Sequence, residues 1–203
     1  MTAIELHRVS RVYGNFAALR NISLTIPAGS SVVILGENGA GKSTLLRIIA
    51  GLVSPTHGTV SVSPMLAYMS HETQLYDELT GLENLRYFAS LQTPGLTPEA
   101  ALREVNLDPN LSRRVGEYSQ GMRQRASLAR VLLTQPDLLL LDEPFSNLDV
   151  ASAAHMVELL ASYVKTPSTT GNLRTLLLTT HQAELARPLA QTTLTLRSGG
   201  LIQ

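Results

Sequence analysis

The sequence predicts an α/β fold in which apolar strands alternate with helices, with an antiparallel β subdomain and an inserted helical subdomain. Three observations carry this expectation. Ser31-Val32-Val33-Ile34-Leu35, a short β-branched run, leads into a glycine loop and then a helical pattern with Leu45, Leu46, Ile48 and Ile49 on one side. Leu138–Leu141 and Leu176–Leu178 are apolar throughout, as strands covered on both faces are. Residues 72 to 134 hold helical patterns and no convincing strand, which marks the insertion within one domain spanning residues 1–203.

The glycine loop reads Gly36-Glu37-Asn38-Gly39-Ala40-Gly41-Lys42-Ser43-Thr44 and fits G-x-x-x-x-G-K-[ST], the P-loop that wraps nucleotide phosphates in backbone N–H groups. Gly36, Gly39 and Gly41 let the backbone approach phosphate oxygens, and the helix that follows adds free N–H donors at its N-terminus. Lys42 supplies a cation for the β- and γ-phosphates, and Ser43 offers a hydroxyl to Mg²⁺. The fixed positions coincide by chance in roughly one chain of this length in a hundred, and the flanking strand and helix lower that further. The spacing is not the G-x-G-x-x-G of dinucleotide-binding loops.

Composition narrows the partners. The 203 residues carry 16 basic and 16 acidic side chains, with no block rich in Lys or Arg, so nucleic-acid binding is not expected. There is no cysteine, which excludes disulfides and thiolate metal sites. Met1-Thr2-Ala3-Ile4-Glu5 has no signal-peptide pattern, and no apolar run is long enough to span a bilayer. The expectation is a soluble chain whose membrane role, if any, comes through a partner.

Taken in order, Ile4, Leu6 and Val9 alternate with polar residues as an opening strand, and Ala17–Ile26 reads as its neighbour, closed by Pro27-Ala28-Gly29. Tyr13 lies in the turn between them, where packing and an aromatic face for adenine are both open readings. Gly58–Val62 and Leu66–Met69 are short strands. Thr80-Gly81-Leu82-Glu83 is a capping box, and Thr97-Pro98-Glu99 has the cap and first-turn proline of another helix. Ser119 opens the longest amphipathic pattern, stopped by Gln135-Pro136. Leu138–Leu141 is a strand, Asp149–Tyr163 a helix, Pro167–Asn172 a polar linker and Leu176–His181 a strand. Thr193–Leu196 and Leu201-Ile202 flank Ser198-Gly199-Gly200 as a terminal hairpin.

Asp142 closes the Leu138–Leu141 run, where a carboxylate faces the ligand edge of an open sheet and can hold Mg²⁺ directly or through water. Glu143 follows and can orient or deprotonate a water aimed at the γ-phosphate. His181 stands at the tip of the later strand.

With these residues in place the chain resembles the ATP-binding cassette (ABC) ATPases over nearly its whole length. Tyr13 matches the aromatic A-loop, Gly36–Thr44 Walker A and Leu138–Pro144 Walker B with its glutamate. Ser146-Asn147-Leu148-Asp149 matches the D-loop and His181 the switch histidine. Tyr118-Ser119-Gln120-Gly121-Met122 stands in the place of the LSGGQ signature, with Gln120 for a glycine and Met122 for glutamine; Ser119 and Gly121 remain. The resemblance implies a head-to-tail homodimer holding two ATP, with Ser119 and Gly121 acting on the opposite nucleotide. It also implies integral membrane transporter subunits as partners and a peripheral place on the cytoplasmic face of the inner membrane.

His71 occupies the position of the family's Q-loop glutamine, within Tyr68-Met69-Ser70-His71-Glu72. That segment, the Leu75–Thr80 run and Leu82–Leu85 resemble the CcmA-type heme exporter ATPases of cytochrome c maturation. The resemblance implies an ATP-hydrolysing exporter subunit. The alternatives are another exporter ATPase, for drugs or lipids; a soluble cassette acting on ribosomes or DNA; and a binding module without turnover. The lack of a second cassette or coiled-coil insert argues against the soluble cassette, and the intact Glu143 and His181 argue against the silent module.

Overall fold

The computed structural model of the chain describes residues 1–167, 171 and 173–202, and most of the expected Pro167–Asn172 linker lies outside them. The chain opens with two long antiparallel strands, β1 (Thr2–Tyr13) and β2 (Phe16–Pro27), then enters β3 (Ser31–Leu35), the glycine loop and α1 (Lys42–Ile49). β4 (His57–Val62) returns to pair with β1, whereas β5 (Leu66–Met69), only a few residues later, joins the main sheet. These two neighbouring short strands therefore belong to different layers.

Between Met69 and Leu138 the described residues form α2 (Gly81–Ser90), α3 (Pro98–Glu104) and α4 (Gln120–Leu132), a 3₁₀ turn at Val115–Glu117 and no strand. β6 (Leu138–Asp142), α5 (Val150–Lys165), β7 (Thr175–Thr180), the short α6 (Ala183–Ala186) and the hairpin of β8 (Thr192–Arg197) and β9 (Gly200–Ile202) complete the chain. The main sheet has the order β5-β6-β7-β3-β8-β9, parallel except for β9. A smaller antiparallel sheet, β2-β1-β4, covers one side.

Strand parity builds two cores. Successive side chains of a strand point to opposite faces, so Leu138, Leu140, Val32, Ile34 and Leu177 pack with α1 and the antiparallel sheet. Leu139, Leu141, Val33, Leu176 and Leu178 pack instead against α4, α5 and the rest of the helical layer. Each fully buried leucine contributes about 1.5–3 kcal/mol. That double coverage is why these strands contain no polar positions until their ends.

The inserted helices are held by local chemistry. Thr80 Oγ1 accepts the Glu83 N–H and the Glu83 carboxylate accepts the Thr80 N–H, the reciprocal capping box expected of α2. Asn84 is wholly buried: its Oδ1 accepts Tyr76 N at 2.8 Å, and its Nδ2 donates to Tyr76 O and Thr80 O, each at 3.0 Å. One side chain thus ties residues 76–80 onto α2. Asn84→Ala leaves those buried backbone groups without partners and is expected to destabilise by about 1–3 kcal/mol, read as a lower urea midpoint with an unchanged slope.

Candidate functional site

Four neighbouring parallel strands end at one edge of the sheet, with Leu35 opposite Thr180, Asp142 opposite Thr179 and Met69 opposite Leu141. Each strand end delivers a polar residue there: Gly36 and its loop after β3, Ser70 and His71 after β5, Asp142 and Glu143 from β6, and His181 after β7. The carboxyl edge of an open parallel sheet is where such folds place ligands. A cleft of about 960 Å³ opens at this edge.

Lys42 is the centre of the cleft and is only 5% exposed. Its Nζ donates to Gly36 O at 2.7 Å and Glu37 O at 3.1 Å, and lies 3.0 Å from Glu143 Oε1 as an ion pair. The other carboxylate oxygen, Glu143 Oε2, lies 3.1 Å from His181 Nδ1 and accepts the His181 backbone N–H at 3.4 Å. Glu143 has φ of 52°, in the left-handed region. Such backbone strain in a non-glycine residue concentrates at functional sites. Burial alone would push the Glu143 carboxyl up; the Lys42 ammonium and the His181 ring outweigh it and hold the group below its ordinary value.

Asp142 is 1% exposed and sits on the α1 face by strand parity. Thr179, two residues beyond Leu177 and so on the same face, donates to its Oδ1 at 2.8 Å, and the Tyr68 hydroxyl donates to Oδ2 at 3.3 Å. Burial and then the Asp142 charge push the Tyr68 hydroxyl up to about 12, so it remains a donor. Ser43, in the first turn of α1, lines the same cleft. A buried carboxylate and a hydroxyl are hard oxygen donors, and the donor set fits Mg²⁺, which takes one or two protein oxygens and completes its shell with water and phosphate. Gly41 starts α1 with φ of 105°, and a Cβ there would come within 2.5 Å of Ala18 O. Only glycine closes the loop at that point.

The cleft wall gathers Glu37, Asn38, Gly39, Gly41, Lys42, Ser43, Thr44, His71, Asp142, Glu143 and His181. Gly36 and Ala40 belong to the same loop but not to that wall. Tyr13 is also off it: the Arg11 guanidinium lies 4.4 Å above its ring, and Phe16 and Ala18 form the wall from this hairpin. Ser119 is exposed, away from this cleft, and caps α4 by accepting Met122 N. Gly121 is buried, and a Cβ there would collide with the Ser152 side chain of α5. Close helix packing therefore demands glycine here whether or not a ligand does.

Several cleft residues escaped the sequence reading. Tyr68 and Thr179 brace Asp142, and Arg47 and Gln74 also line the wall. The parity of Thr179 with Asp142 was a usable signal. Arg47 and Gln74 had none, whereas Asn147, on the same wall, belongs to the segment that resembles the D-loop.

The chain matches the ABC transporter family over residues 19–146. It belongs to that family. It is 35% identical to the ABC transporter ATP-binding protein NatA of Bacillus subtilis (strain 168) over 205 residues, covering 91% of this chain and 80% of that protein. It is 36% identical to the cytochrome c biogenesis ATP-binding export protein CcmA of Rhodobacter capsulatus over 165 residues, 81% of this chain and 77% of that protein. The Fe(3+) ions import ATP-binding protein FbpC of Pseudomonas fluorescens is 35% identical over 100% of this chain and 61% of its own length. Among solved structures, the cassette MJ0796, a post-hydrolysis dimer bound to ADP and Pi, superposes with a TM-score of 0.85 at 25% identity, over 98% of this chain and 97% of that one. The ABC chain described here is an ATP-hydrolysing, ATP-binding subunit of a transporter. The narrower expectation of a heme exporter broadens: an import protein matches at a level similar to CcmA, so identity distinguishes neither cargo nor direction.

The Lys42–Glu143 pair has a signature in acid. With the folded pKa of Glu143 below the unfolded one, its stabilisation is complete above the ordinary carboxylate value of about 4.3 and is lost as pH falls through the lower folded value. Glu143→Gln is expected to flatten the acid limb of stability below the ordinary carboxylate range, measured by urea unfolding without nucleotide. Equal acid dependence in both proteins would remove the pair from this account.

Proposed function

We propose that two copies of this chain, facing opposite ways, close on two Mg·ATP and use hydrolysis to drive integral membrane subunits, with the cargo handled in cytochrome c biogenesis. The cluster of Lys42, Glu143 and His181 at the end of the P-loop cleft carries the hydrolytic part of this reading. In it, Lys42 exchanges its Glu143 partner for the β- and γ-phosphates. Glu143, released from the ammonium, accepts a proton from the water it aims at phosphorus. His181, already bonded to Glu143, holds that carboxylate in direction and contacts the γ-phosphate.

Ser43 and Asp142 would hold the Mg²⁺. When bound, the metal neutralises charge on the phosphate oxygens. The loop residues Gly36, Glu37, Asn38, Gly39, Ala40, Gly41 and Thr44 cradle phosphate through backbone N–H groups. Tyr13, beside Phe16 and Ala18 on the β1–β2 hairpin, offers the adenine an aromatic face. Ser119, exposed at the tip of α4, and Gly121 behind it complete the partner copy's nucleotide site. Removing water as the copies close strengthens each of these contacts.

Coupling to a membrane is supported by the transporter relatives and by an exposed aromatic cluster on the helical layer. Tyr76 packs edge-on against Tyr87 at 5.2 Å and stacks with Phe88 at 6.2 Å. Among the described residues no helix is long and apolar enough to cross a membrane, so this reading makes the chain peripheral, on the cytoplasmic face. The cargo assignment is supported by His71 in the Q-loop position and by the CcmA relative. Imidazole is a poor ligand for Mg²⁺, and His71 lies exposed on the cleft wall. It acts through water or as a contact to the membrane subunit.

Glu143→Gln protein saturated with Mg·ATP is expected to sediment as a dimer, and adding Ser119→Arg should return it to monomer; a monomer in the first case defeats the head-to-tail reading. His71→Gln should keep ATPase turnover within about a hundredfold of wild type, roughly 2.7 kcal/mol, because no metal bond is lost. A membrane protein unrelated to cytochrome c maturation co-purifying with the chain overturns the cargo assignment alone.

A further inference from the structure

The Asp142 carboxylate is buried, and each of its oxygens meets a neutral donor from a different strand. Thr179 of β7, its register partner, donates to Oδ1 at 2.8 Å. Tyr68 of β5 stands opposite Leu140, two residues before Asp142, so strand parity puts its ring on the same α1 face. Its hydroxyl donates to Oδ2 at 3.3 Å, and its ring packs on the core that holds Leu45 and Leu46. The Arg47 guanidinium, one helical turn beyond Ser43 on α1, lies against that hydroxyl. A guanidinium only donates, so the hydroxyl's own proton is left for Oδ2. Tyr68 thus links a cation of the cleft wall to the buried carboxylate.

We propose that Tyr68 is a positioning residue for the metal: its hydroxyl holds the Asp142 carboxylate in the orientation that takes Mg²⁺ or a water on it. This rests on the reading of Asp142 and Ser43 as the residues that hold Mg²⁺. The terminal torsion of an aspartate is broad, so the plane of this carboxylate is set by what bonds its oxygens. An ionised carboxylate has about four lone-pair positions. Thr179 and Tyr68 use one on each oxygen and leave one on each for the metal or its water. Loss of the tyrosine donor has two opposed effects. The freed oxygen becomes more basic, which favours a cation, but the carboxylate gains freedom to turn and a buried charge loses a partner. The second effect wins, because groups that bond metal-holding side chains typically account for about 10–100-fold in metal affinity.

The test titrates Mg²⁺ calorimetrically into the full chain loaded with ADP, and separately measures ADP affinity in EDTA. Tyr68→Phe removes one oxygen atom and keeps the ring that packs on the Leu45 and Leu46 core, so the fold is retained. The variant is expected to bind Mg²⁺ at least about tenfold more weakly than wild type, while its metal-free ADP affinity is unchanged. A merely structural tyrosine would weaken ADP binding equally with and without metal. That result, or an unchanged Mg²⁺ affinity in Tyr68→Phe, overturns the proposal and leaves the metal reading standing. Wild-type chain that binds ADP but no Mg²⁺ overturns the metal reading and the proposal together, and shows itself before any variant is made.

Discussion

A lysine that is 95% buried cannot stand alone, and the cleft is organised around its need for an anion. Removing one member of a buried ion pair typically costs about 3–5 kcal/mol, because the other charge is left in a poor solvent. Without nucleotide, Lys42 meets that need with Glu143 and two loop carbonyls. In the hydrolytic reading proposed above, phosphate entry is therefore an exchange of partners and not the filling of a vacant hole. The same exchange releases the carboxylate that the chemistry requires. In that reading Glu143 is held by the lysine until a phosphate replaces it, which ties its availability as a base to the presence of substrate.

The fold supplies this arrangement through strand parity. Leu138 to Leu141 alternate between two cores, so Asp142 falls on the α1 face, where Thr179 and Tyr68 bond it and Ser43 stands nearby. Glu143 leaves the strand through a left-handed turn and points its carboxylate across to Lys42. A shift of one residue in the register of β6 would exchange these faces and send Asp142 into the helical layer. The buried leucines of β6 (Leu138–Leu141) and β7 (Leu176–Leu178) guard against that slip more strongly than the polar contacts do.

Local signals survived the passage from sequence to structure. The Thr80–Glu83 box, the Ser119 cap, the glycine loop and the terminal hairpin all depend on residues within a few positions of one another, and each formed where its residues predicted. Long-range consequences were less legible. Tyr68 reaches Asp142 across 74 positions, and Gly121 owes its identity to Ser152, a side chain on another helix. Nothing near Tyr13 announces that Arg11 covers its ring while Phe16 takes the cleft wall. β4 and β5 stand only a few residues apart, and pairing partners decide which sheet receives each. Such features arise from what the chain meets in space, and periodicity carries no record of it.

The one-sidedness of the cleft bears on assembly. Lys42, Asp142, Glu143 and His181 all stand on strand ends or on α1, so they approach a bound phosphate from the sheet alone. The thirteen-residue α4 ends its positive pole at Ser119, exposed and outside this wall. A helix end of that length is a ready anion partner, but within one chain it faces no phosphate. Folding a single copy more tightly cannot bring it there, because Gly121 already packs directly on Ser152 and pins the start of α4 to α5. The head-to-tail pair proposed above resolves this geometry without deforming either copy. Each rigid α4 tip reaches the nucleotide of the other, and ATP itself becomes the contact that holds the two faces together.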